Sequence, residues 1–283
     1  MLINLEAPIR RAVATATGPG TWTTHTALVT GQRTHATLVE HDGRLQAIEV
    51  LLTPEMAYRV FGPPVGDIGG GAVSPEDLLG PAGARLVAML GDAWTWRERF
   101  ARLDRWLLNR AWGGAAVDRQ VHGAWRELLR TGGTLPVRQL ALLTGWSERH
   151  LANRFRAQLG ILPKQAARIV RIQRTLKLLQ AGADPASVVA AHGFCDQSHF
   201  TREFKAMAGQ THRAFVRSRL RGGCAAIPVD RLDGAVTSAV LPLAPPEQPA
   251  SLFSYTRHGG ARDPRAQEDT YWKDGIQPCA TRS

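Results

Sequence analysis

Residues 145–155 read GWSERHLANRF, and this stretch decides the fold of the C-terminal half of the chain. Its first three residues predict a tight turn, and Ser147 supplies a hydroxyl that caps the helix after the turn. The segment before it, Pro136 to Leu143, predicts a short helix with one apolar face. A short helix, a tight turn and a second helix together form a helix-turn-helix unit.

The helix after the turn has an apolar stripe. Leu151, Phe155 and Leu159 are four residues apart, so they lie on one face of the helix, and Gly160 ends it. The stretch GFCDQSHFTREFK at 193–205 repeats the pattern, because Phe200, Phe204 and Gly209 stand 49 residues after Leu151, Phe155 and Gly160. The sequence therefore predicts two helix-turn-helix units.

The second unit is predicted to begin with a short helix from Pro185 to His192 and a turn at Gly193-Phe194-Cys195. Its second helix runs from Gln197 to Met207. Between the units, Lys164 to Gln180 predicts a continuous helix with one apolar face. At about 1.5 Å per residue it is about 25 Å long. Such a connector holds two recognition helices near one DNA turn, about 34 Å, apart.

The positive charge of the chain is concentrated in this region. The formal net charge is +11. Between Thr131 and Gly222 there are 15 Lys and Arg against four Asp and Glu, so this third of the chain carries the whole excess. A basic block of this kind is typical of a domain that binds a polyanion such as nucleic acid.

The two stretches resemble the helix-turn-helix units of the AraC/XylS family. The resemblance rests on residues 145–155 and 193–205, on RQLA at 138–141 and on RIQRT at 171–175 in the connector. It extends from about Leu135 to Val216. It implies a sequence-specific DNA-binding transcription regulator that reads two adjacent major-groove segments of a promoter. Double-stranded DNA and RNA polymerase are the implied partners.

The resemblance also assigns base-reading positions in the first unit. A recognition helix presents them opposite its apolar stripe, toward its N-terminal end. These positions hold Arg149, Ala152 and Asn153. Arg149 and Asn153 are the expected readers, because arginine suits guanine and asparagine suits adenine, whereas Ala152 reaches only a thymine methyl. The alternative for Arg149 is a phosphate contact.

In the second unit the equivalent positions hold Gln197, Ser198, Thr201 and Arg202. Gln197 and Arg202 have the chemistry for bidentate base contacts, and backbone contacts are the alternative for both. Other residues are assigned to phosphates, with a merely solvated position as the alternative. These are Ser147, Arg154, Arg156, Lys164, Lys205 and Arg213.

The N-terminal part predicts a different architecture. From Ile9 to about Leu52 it has the alternation of a small antiparallel β unit. Strands over Thr34–Val39 and Leu45–Leu52 are expected to form a hairpin at Asp42-Gly43. Thr53 then caps a helix that starts with Pro54, and further helices are predicted between Pro75 and Leu108. The predicted fold class is α+β, with this β unit and its helices followed by an all-α domain.

Residues 50–64 and 73–80 resemble the sensory domain of an actinobacterial branch of the AraC/XylS family. This implies a short cupin-like domain that binds a small-molecule effector or mediates homodimerisation. The expected division is a sensory or dimerisation domain at 1–115 and a DNA-binding domain at 120–222. A proline-rich and then polar tail at 223–283 is expected to be disordered.

Several classes of site find no support in the sequence. Cys195, Cys224 and Cys279 form no CxxC pair, which favours a reduced, cytoplasmic setting. His25, His35 and His41 lack the spacing of a cupin metal site, so no metal and no cofactor are predicted. No catalytic motif is present, so the chain is not expected to be an enzyme. No stretch approaches the roughly 18 apolar residues of a membrane span.

Two other functions remain as alternatives. A non-specific nucleic-acid-binding or architectural protein would also carry a basic block. An enzyme that uses the DNA-binding block for targeting would need its own reactive group, and no cysteine precedes Cys195. Dependence of binding on DNA sequence separates the regulator from the architectural protein.

Overall fold

The computed structural model describes most of the chain up to residue 214 and two short segments after it. The described residues are 1–15, 18–41, 46–63, 65–68, 71–180, 183–184, 187–189, 193–194, 196–209, 211–214, 229–232 and 235–239. Strands dominate the first 50 residues and helices the residues from 54 to 208, so the chain has the predicted α+β class.

The N-terminal strands form two antiparallel sheets. The first sheet has the order β7-β1-β5-β8, with β1 (Leu2–Asn4), β5 (Ala27–Thr30), β7 (Ala47–Glu49) and β8 (Ala72–Val73). In the second, β2 (Ile9–Thr15) lies between β4 (Thr23–His25) and β6 (Thr37–Glu40), and β3 (Gly18–Pro19) pairs with the end of β2.

The predicted hairpin between Thr34–Val39 and Leu45–Leu52 is wrong. The strands observed in these segments are β6 and β7, and they belong to different sheets, β6 pairing with β2 and β7 with β1. Alternation of apolar and polar residues marks a strand but does not specify its partner. The expected turn residues Asp42 and Gly43 lie outside the described residues.

The two sheets face each other across an apolar contact. Leu2 and Leu28 from the first sheet and Ile9 and Val39 from the second form one buried cluster. Side chains alternate across a strand, so the first sheet also has an outer face, which contributes Ile3, Ala27 and Ile48 to another core.

Five helices follow in the N-terminal part, and the second core lies under two of them. They are α1 (Pro54–Phe61), α2 (Val65–Ile68), α3 (Pro75–Leu79), α4 (Pro81–Gly91) and α5 (Trp96–Gly113). Leu86, Leu90 and Leu103 of α4 and α5 cover the outer face of the first sheet. The predicted cap at Thr53 is confirmed, since its hydroxyl accepts a hydrogen bond from the Met56 amide at 3.1 Å.

The described C-terminal helices match the predicted units, with one addition. They are α6 (Arg119–Arg130), α7 (Val137–Thr144), α8 (Glu148–Leu159), α9 (Pro163–Gln180) and α10 (Gln197–Ala208). The helix α6 is not among the predicted elements. Its buried side chains Val121, Ala124, Trp125 and Leu128 have the spacing of an amphipathic helix.

The connector α9 belongs to two cores. Its first half contributes Ala166, Ile169 and Val170 to the core formed with α6, α7 and α8. Its second half contributes Ile172, Leu176 and Leu179 to the core formed with α10, and the two cores meet along α9. The predicted continuous connector is therefore confirmed, and both of its halves bury apolar side chains.

In the tail the structure differs from the expected disorder at two short segments. Val229–Leu232 (β9) and Ala235–Ala239 (β10) pair as antiparallel strands. The remainder of the tail after Leu232 and Ala239 lies outside the described residues.

The N-terminal part packs closely on α8. A Cβ atom at Gly66 of α2 would lie 2.9 Å from the carbonyl oxygen of Ala157, and one at Gly160 would lie 2.9 Å from that of Val65. Two further contacts join neighbouring elements. Arg110 Nε donates to the Val60 carbonyl at 2.8 Å, and the His122 ring contacts the Glu55 carboxylate.

We expect Gly66→Ala to loosen this packing, because its Cβ meets rigid backbone on α8. Overpacking of this kind costs about 1–3 kcal/mol, which a denaturant titration of the full chain measures. Gly91→Ala is the matched control, because no atom lies within 4 Å of its Cβ. Alanine at that helical position should be neutral or slightly stabilising. Equal effects of the two substitutions would contradict the close packing of α2 on α8.

Candidate nucleic-acid interface

The turn of the first unit has the geometry that its sequence predicts. Gly145 adopts φ 70° and ends α7 in the left-handed conformation, which glycine tolerates without steric cost. Ser147 Oγ accepts a hydrogen bond from the His150 amide at 3.2 Å and so caps α8. Trp146 packs edge-on against the His150 ring, with the ring centroids 4.6 Å apart.

The helix α8 buries its predicted stripe and exposes its predicted reading face. Leu151 and Phe155 are fully buried and Leu159 almost so. On the other side, Arg149 and Asn153 are exposed and Ala152 is half-buried. The structure therefore brings the three proposed base-reading positions of this unit together on a solvent-facing surface near the start of α8.

Two residues that the sequence analysis missed hold α8 in place. Asp118, just before α6, forms an ion pair with Arg154 at 2.6 Å, and its amide donates to Gln158 Oε1 at 2.9 Å. Partial burial raises the pKa of Asp118, but hydrogen bonds with Gln158 and Arg154 outweigh it and leave the pKa below its ordinary value. Asp118 is therefore ionised at neutral pH. Arg154, a proposed phosphate contact, already forms an ion pair with it within the protein.

The second recognition helix, α10, repeats this design. Asp196 Oδ1 caps it by accepting from the His199 amide at 2.6 Å, and Gly209 at φ 74° ends it. Phe200 and Phe204 are fully buried, as their spacing predicts. Of the four proposed reading positions, three are exposed and Thr201 is half-buried; the exposed ones are Gln197, Ser198 and Arg202.

The structure describes only part of the helix predicted before α10. Of the predicted segment from Pro185 to His192, residues 187–189 are described and are helical. Gly193 adopts φ 68°, as a turn requires, and Phe194 is buried. Cys195 lies outside the described residues.

An ionic cluster ties α10 to the connector. The Glu203 carboxylate lies 3.5 Å from Arg168 Nε, 3.8 Å from Arg171 Nη2 and 3.4 Å from His199 Nε2. The Arg171 guanidinium also stands 5.7 Å from the ring centroid of Phe194. The sequence did not reveal these contacts. They hold α10 on α9 in addition to the apolar core that the two helices share.

The residues proposed to contact phosphates all have solvent-accessible side chains. Arg156, Lys164, Lys205 and Arg213 all have exposed side chains. Ser147 is exposed as well, although its hydroxyl serves as the cap of α8. All six proposed residues are thus accessible, with Arg154 and Ser147 already engaged within the protein.

Among the residues that the structure describes, no group of three or more His, Cys, Asp or Glu side chains is arranged to hold a metal ion. None of the helices described is both long and apolar enough to cross a membrane.

Comparison with known proteins matches the C-terminal region. A family model described as a helix-turn-helix domain matches residues 140–218. An uncharacterised HTH-type transcriptional regulator of Bacillus subtilis, YbfI, is 43% identical over 60 residues, which are 21% of this chain and 22% of that protein. The match thus spans about a fifth of the curated relative.

Two solved structures are also similar. The C-terminal domain of AraT, a response regulator from Geobacillus stearothermophilus, has a TM-score of 0.35 and 18% identity, with 37% of this chain and 89% of that chain covered. A variant of apo ToxT from Vibrio cholerae has a TM-score of 0.37 and 10% identity, with coverages of 76% and 87%. The family match spans α8, α9 and α10, so residues 140–218 of the chain carry a helix-turn-helix domain.

Proposed function

We propose that the chain is a transcription regulator that binds promoter DNA sequence-specifically through α8 and α10. One observation carries the proposal: α9 is buried in the cores of both units, so two recognition helices with exposed polar faces are held in one fixed relation. A length of about 27 Å for the 18 residues of α9 suits two neighbouring major-groove segments.

The two helices should contribute unequally to recognition. Arg149 and Asn153 on α8 suit guanine and adenine, and they stand one helical turn apart on the exposed face. On α10, Gln197 and Arg202 are the readers, supported by Ser198 and Thr201. Because the two sets of side chains differ, a single chain should read an asymmetric DNA sequence.

Charge supports the same function. The excess of 11 positive charges lies within Thr131–Gly222. Exposed cations around the reading faces supply sequence-independent attraction to the phosphates, which orients the recognition helices before base contacts form. Residues 120–222 form the DNA-binding domain in this proposal.

Residues 1–115 form the regulatory domain in this proposal, responding to a small molecule or mediating dimerisation. The support is their contact with α8: Gly66 packs on the C-terminal end of the helix whose N-terminal end carries Arg149. A change in the N-terminal part would therefore reach the reading helix directly. The regulator would act in the cytoplasm and meet RNA polymerase at the promoter.

Exposed apolar side chains on α5 support a homodimer. Leu108 and Trp112, one helical turn apart, are 57% and 87% exposed, and Phe100, about two turns before Leu108, is 41% exposed. Asp104 and Arg105 add charges of both signs to the same helix. Such a surface can be complementary to itself, as a two-fold interface between identical chains requires.

Selection from a randomised DNA pool by the full chain tests the function itself. We expect enrichment of one asymmetric sequence, bound more tightly than its scrambled version at moderate salt. Six phosphate contacts predict a slope of about −5 for the logarithm of affinity against the logarithm of salt concentration with either DNA. Equal affinities for selected and scrambled DNA would favour the architectural alternative.

Arg149→Ala tests the role of the first recognition helix. If Arg149 reads a guanine, the substitution should cost about 1–3 kcal/mol on the selected DNA and relax the preference at one base pair. Arg85→Ala, which removes an exposed cation from α4, is the charge-matched control and should leave binding almost unchanged. A uniform loss on every sequence would instead make Arg149 a phosphate contact.

Leu108→Glu tests the dimer. A buried carboxylate at a dimer contact is costly, so the variant should sediment as a monomer at concentrations where the natural chain is a dimer. Leu142→Glu is the control, because Leu142 is also exposed, at 72%, but lies on α7. A natural chain that sediments as a monomer throughout would refute dimerisation through α5.

A further inference from the structure

A carboxylate of the protein holds one of the proposed phosphate contacts, Arg154. Asp118 Oδ2 accepts a hydrogen bond from Arg154 Nε at 2.7 Å and lies 2.6 Å from Arg154 Nη2. These two nitrogens form one edge of the guanidinium, and the planar fork of an arginine binds carboxylates and phosphates in the same way. The Asp118 carboxylate therefore occupies an edge of Arg154 that suits a DNA phosphate.

Arg154 stands at the border between the reading face of α8 and its buried side. Asn153, a proposed base reader, directly precedes it, and Gln158, one helical turn later, is only 3% exposed. The Arg154 side chain remains 44% exposed in spite of its ion pair. Phosphates line both sides of a recognition helix that lies in the major groove, so an exposed cation at this border is placed to meet one.

Asp118 occupies the N-cap position of α6, yet its side chain contacts another helix. An aspartate at this position usually accepts a hydrogen bond from an amide in the first turn of its own helix. Asp118 makes no side-chain capping bond to α6, all of whose residues are described. Its carboxylate contacts Arg154 on α8 instead. The fold thus uses this acid for the guanidinium rather than for the helix that it begins.

The attachment of α6 to α8 does not depend on this charge alone. The Asp118 backbone amide donates to Gln158 Oε1 at 2.9 Å, and this donor is present whichever side chain stands at position 118. Val121 and Trp125 of α6 share a buried core with Phe155 of α8. A neutral side chain of similar shape at position 118 should therefore leave α8 in place, so the charge can be removed without removing the packing.

The carboxylate of the second recognition helix has a different setting. Glu203 on α10 lies 3.5 Å from Arg168 and 3.8 Å from Arg171, whose side chains are 30% and 19% exposed. The ion pair of Arg154 is shorter, and its cation is more exposed. Of these three arginines, Arg154 is therefore the one best placed to exchange its carboxylate for a partner from solvent.

We propose that Asp118 competes with DNA phosphate for Arg154 and thereby limits the affinity of the first unit for DNA of any sequence. A phosphate at the same edge of the guanidinium would meet the negative charge of Asp118, and like charges at such close range repel. Non-specific binding comes almost wholly from phosphate contacts, so withholding one cation weakens it. This inference rests on the proposed function, since it names a residue that regulates the same interface.

Asp118→Asn in the full chain is the first test. One additional phosphate contact should tighten binding about fivefold at about 0.15 M salt, with the selected DNA and with its scrambled version alike. The slope of the logarithm of affinity against the logarithm of salt concentration should become steeper by about 0.9. Weaker binding or an unchanged slope would overturn the proposal.

Glu40→Gln is the matched control. Glu40 pairs with Arg10 at 2.9 Å, and the exposed fractions of these two side chains, 29% and 54%, are close to the 27% and 44% of Asp118 and Arg154. Both substitutions raise the net charge of the chain by one, but Glu40 lies on β6 in the N-terminal part. Glu40→Gln should leave affinity and slope almost unchanged. Equal effects of the two substitutions would make net charge the cause and reject competition at Arg154.

Substitution of Arg154 identifies the cation concerned. If Asp118 withholds Arg154 from DNA, Arg154→Gln alone should leave the salt slope of the natural chain unchanged. In the Arg154→Gln background, Asp118→Asn should no longer steepen the slope, because the cation that it releases is absent. A slope that becomes shallower by about 0.9 on Arg154→Gln alone would show that Arg154 contacts phosphate despite Asp118, and the proposal would fail.

Thermal unfolding checks that the variant keeps its fold. Loss of a partly exposed ion pair should change the melting temperature of Asp118→Asn little. If Asp118→Asn does not fold, Asp118→Ser, which places another neutral N-cap residue at the start of α6, takes its place with the same expected outcomes.

The same titrations separate this inference from the proposed function. Equal affinities of the natural chain for selected and scrambled DNA, with both slopes steeper in Asp118→Asn, would reject the sequence-specific regulator and uphold the competition. Sequence-specific binding that Asp118→Asn leaves unchanged would uphold the regulator and reject the competition. A natural chain that binds neither DNA would overturn both.

Discussion

The helix α9 is shared by two apolar cores, and the rest of the C-terminal region depends on this constraint. Its first half completes the core around Phe155 and its second half completes the core around Phe200. Neither small unit has enough apolar surface of its own to dispense with this helix, since small folds bury a limited fraction of their surface. Sharing α9 therefore stabilises both units and also fixes the relation of α8 to α10.

Polar contacts refine the orientation that the shared helix sets. Asp118 and Gln158 hold α8 against the start of α6, and Glu203 holds α10 against α9. Apolar packing is non-directional, so these polar contacts also help to orient α8 and α10, with the proposed reading side chains turned toward solvent.

The N-terminal part has two interiors of different composition, one apolar and one that contains polar side chains. Its outer sheet face is a conventional apolar core with α4 and α5, whereas the space between the sheets contains Asn4 and Arg11, each only 7% exposed. Burying polar side chains costs free energy unless they are hydrogen-bonded, so this interior contributes less to stability than the apolar core does. The same part of the chain meets α8 at Gly66, so the N-terminal part packs directly on the helix that carries the proposed reading positions.

Local patterns in the sequence were sufficient for the helix-turn-helix units. Glycines at 145, 160 and 209, the cap at Ser147 and apolar residues four apart act over one or two helical turns, and the structure confirms helices α8 and α10 that they predict. The missed helix α6 had a local signal too, in the spacing of Val121 and Trp125. What these elements have in common is that their determining interactions lie close together along the chain.

Tertiary structure alone decided the features that join distant residues. The sequence predicted strands near Val39 and Ile48 but not that they enter different sheets, because strand partners are selected by packing across the whole domain. The buried Arg11 and the exposed, ion-paired Arg10 look the same in the sequence, since only the facing sheet makes one of them interior. The contact of Gly66 with α8 likewise joins residues about 90 positions apart, and only the folded chain brings them together.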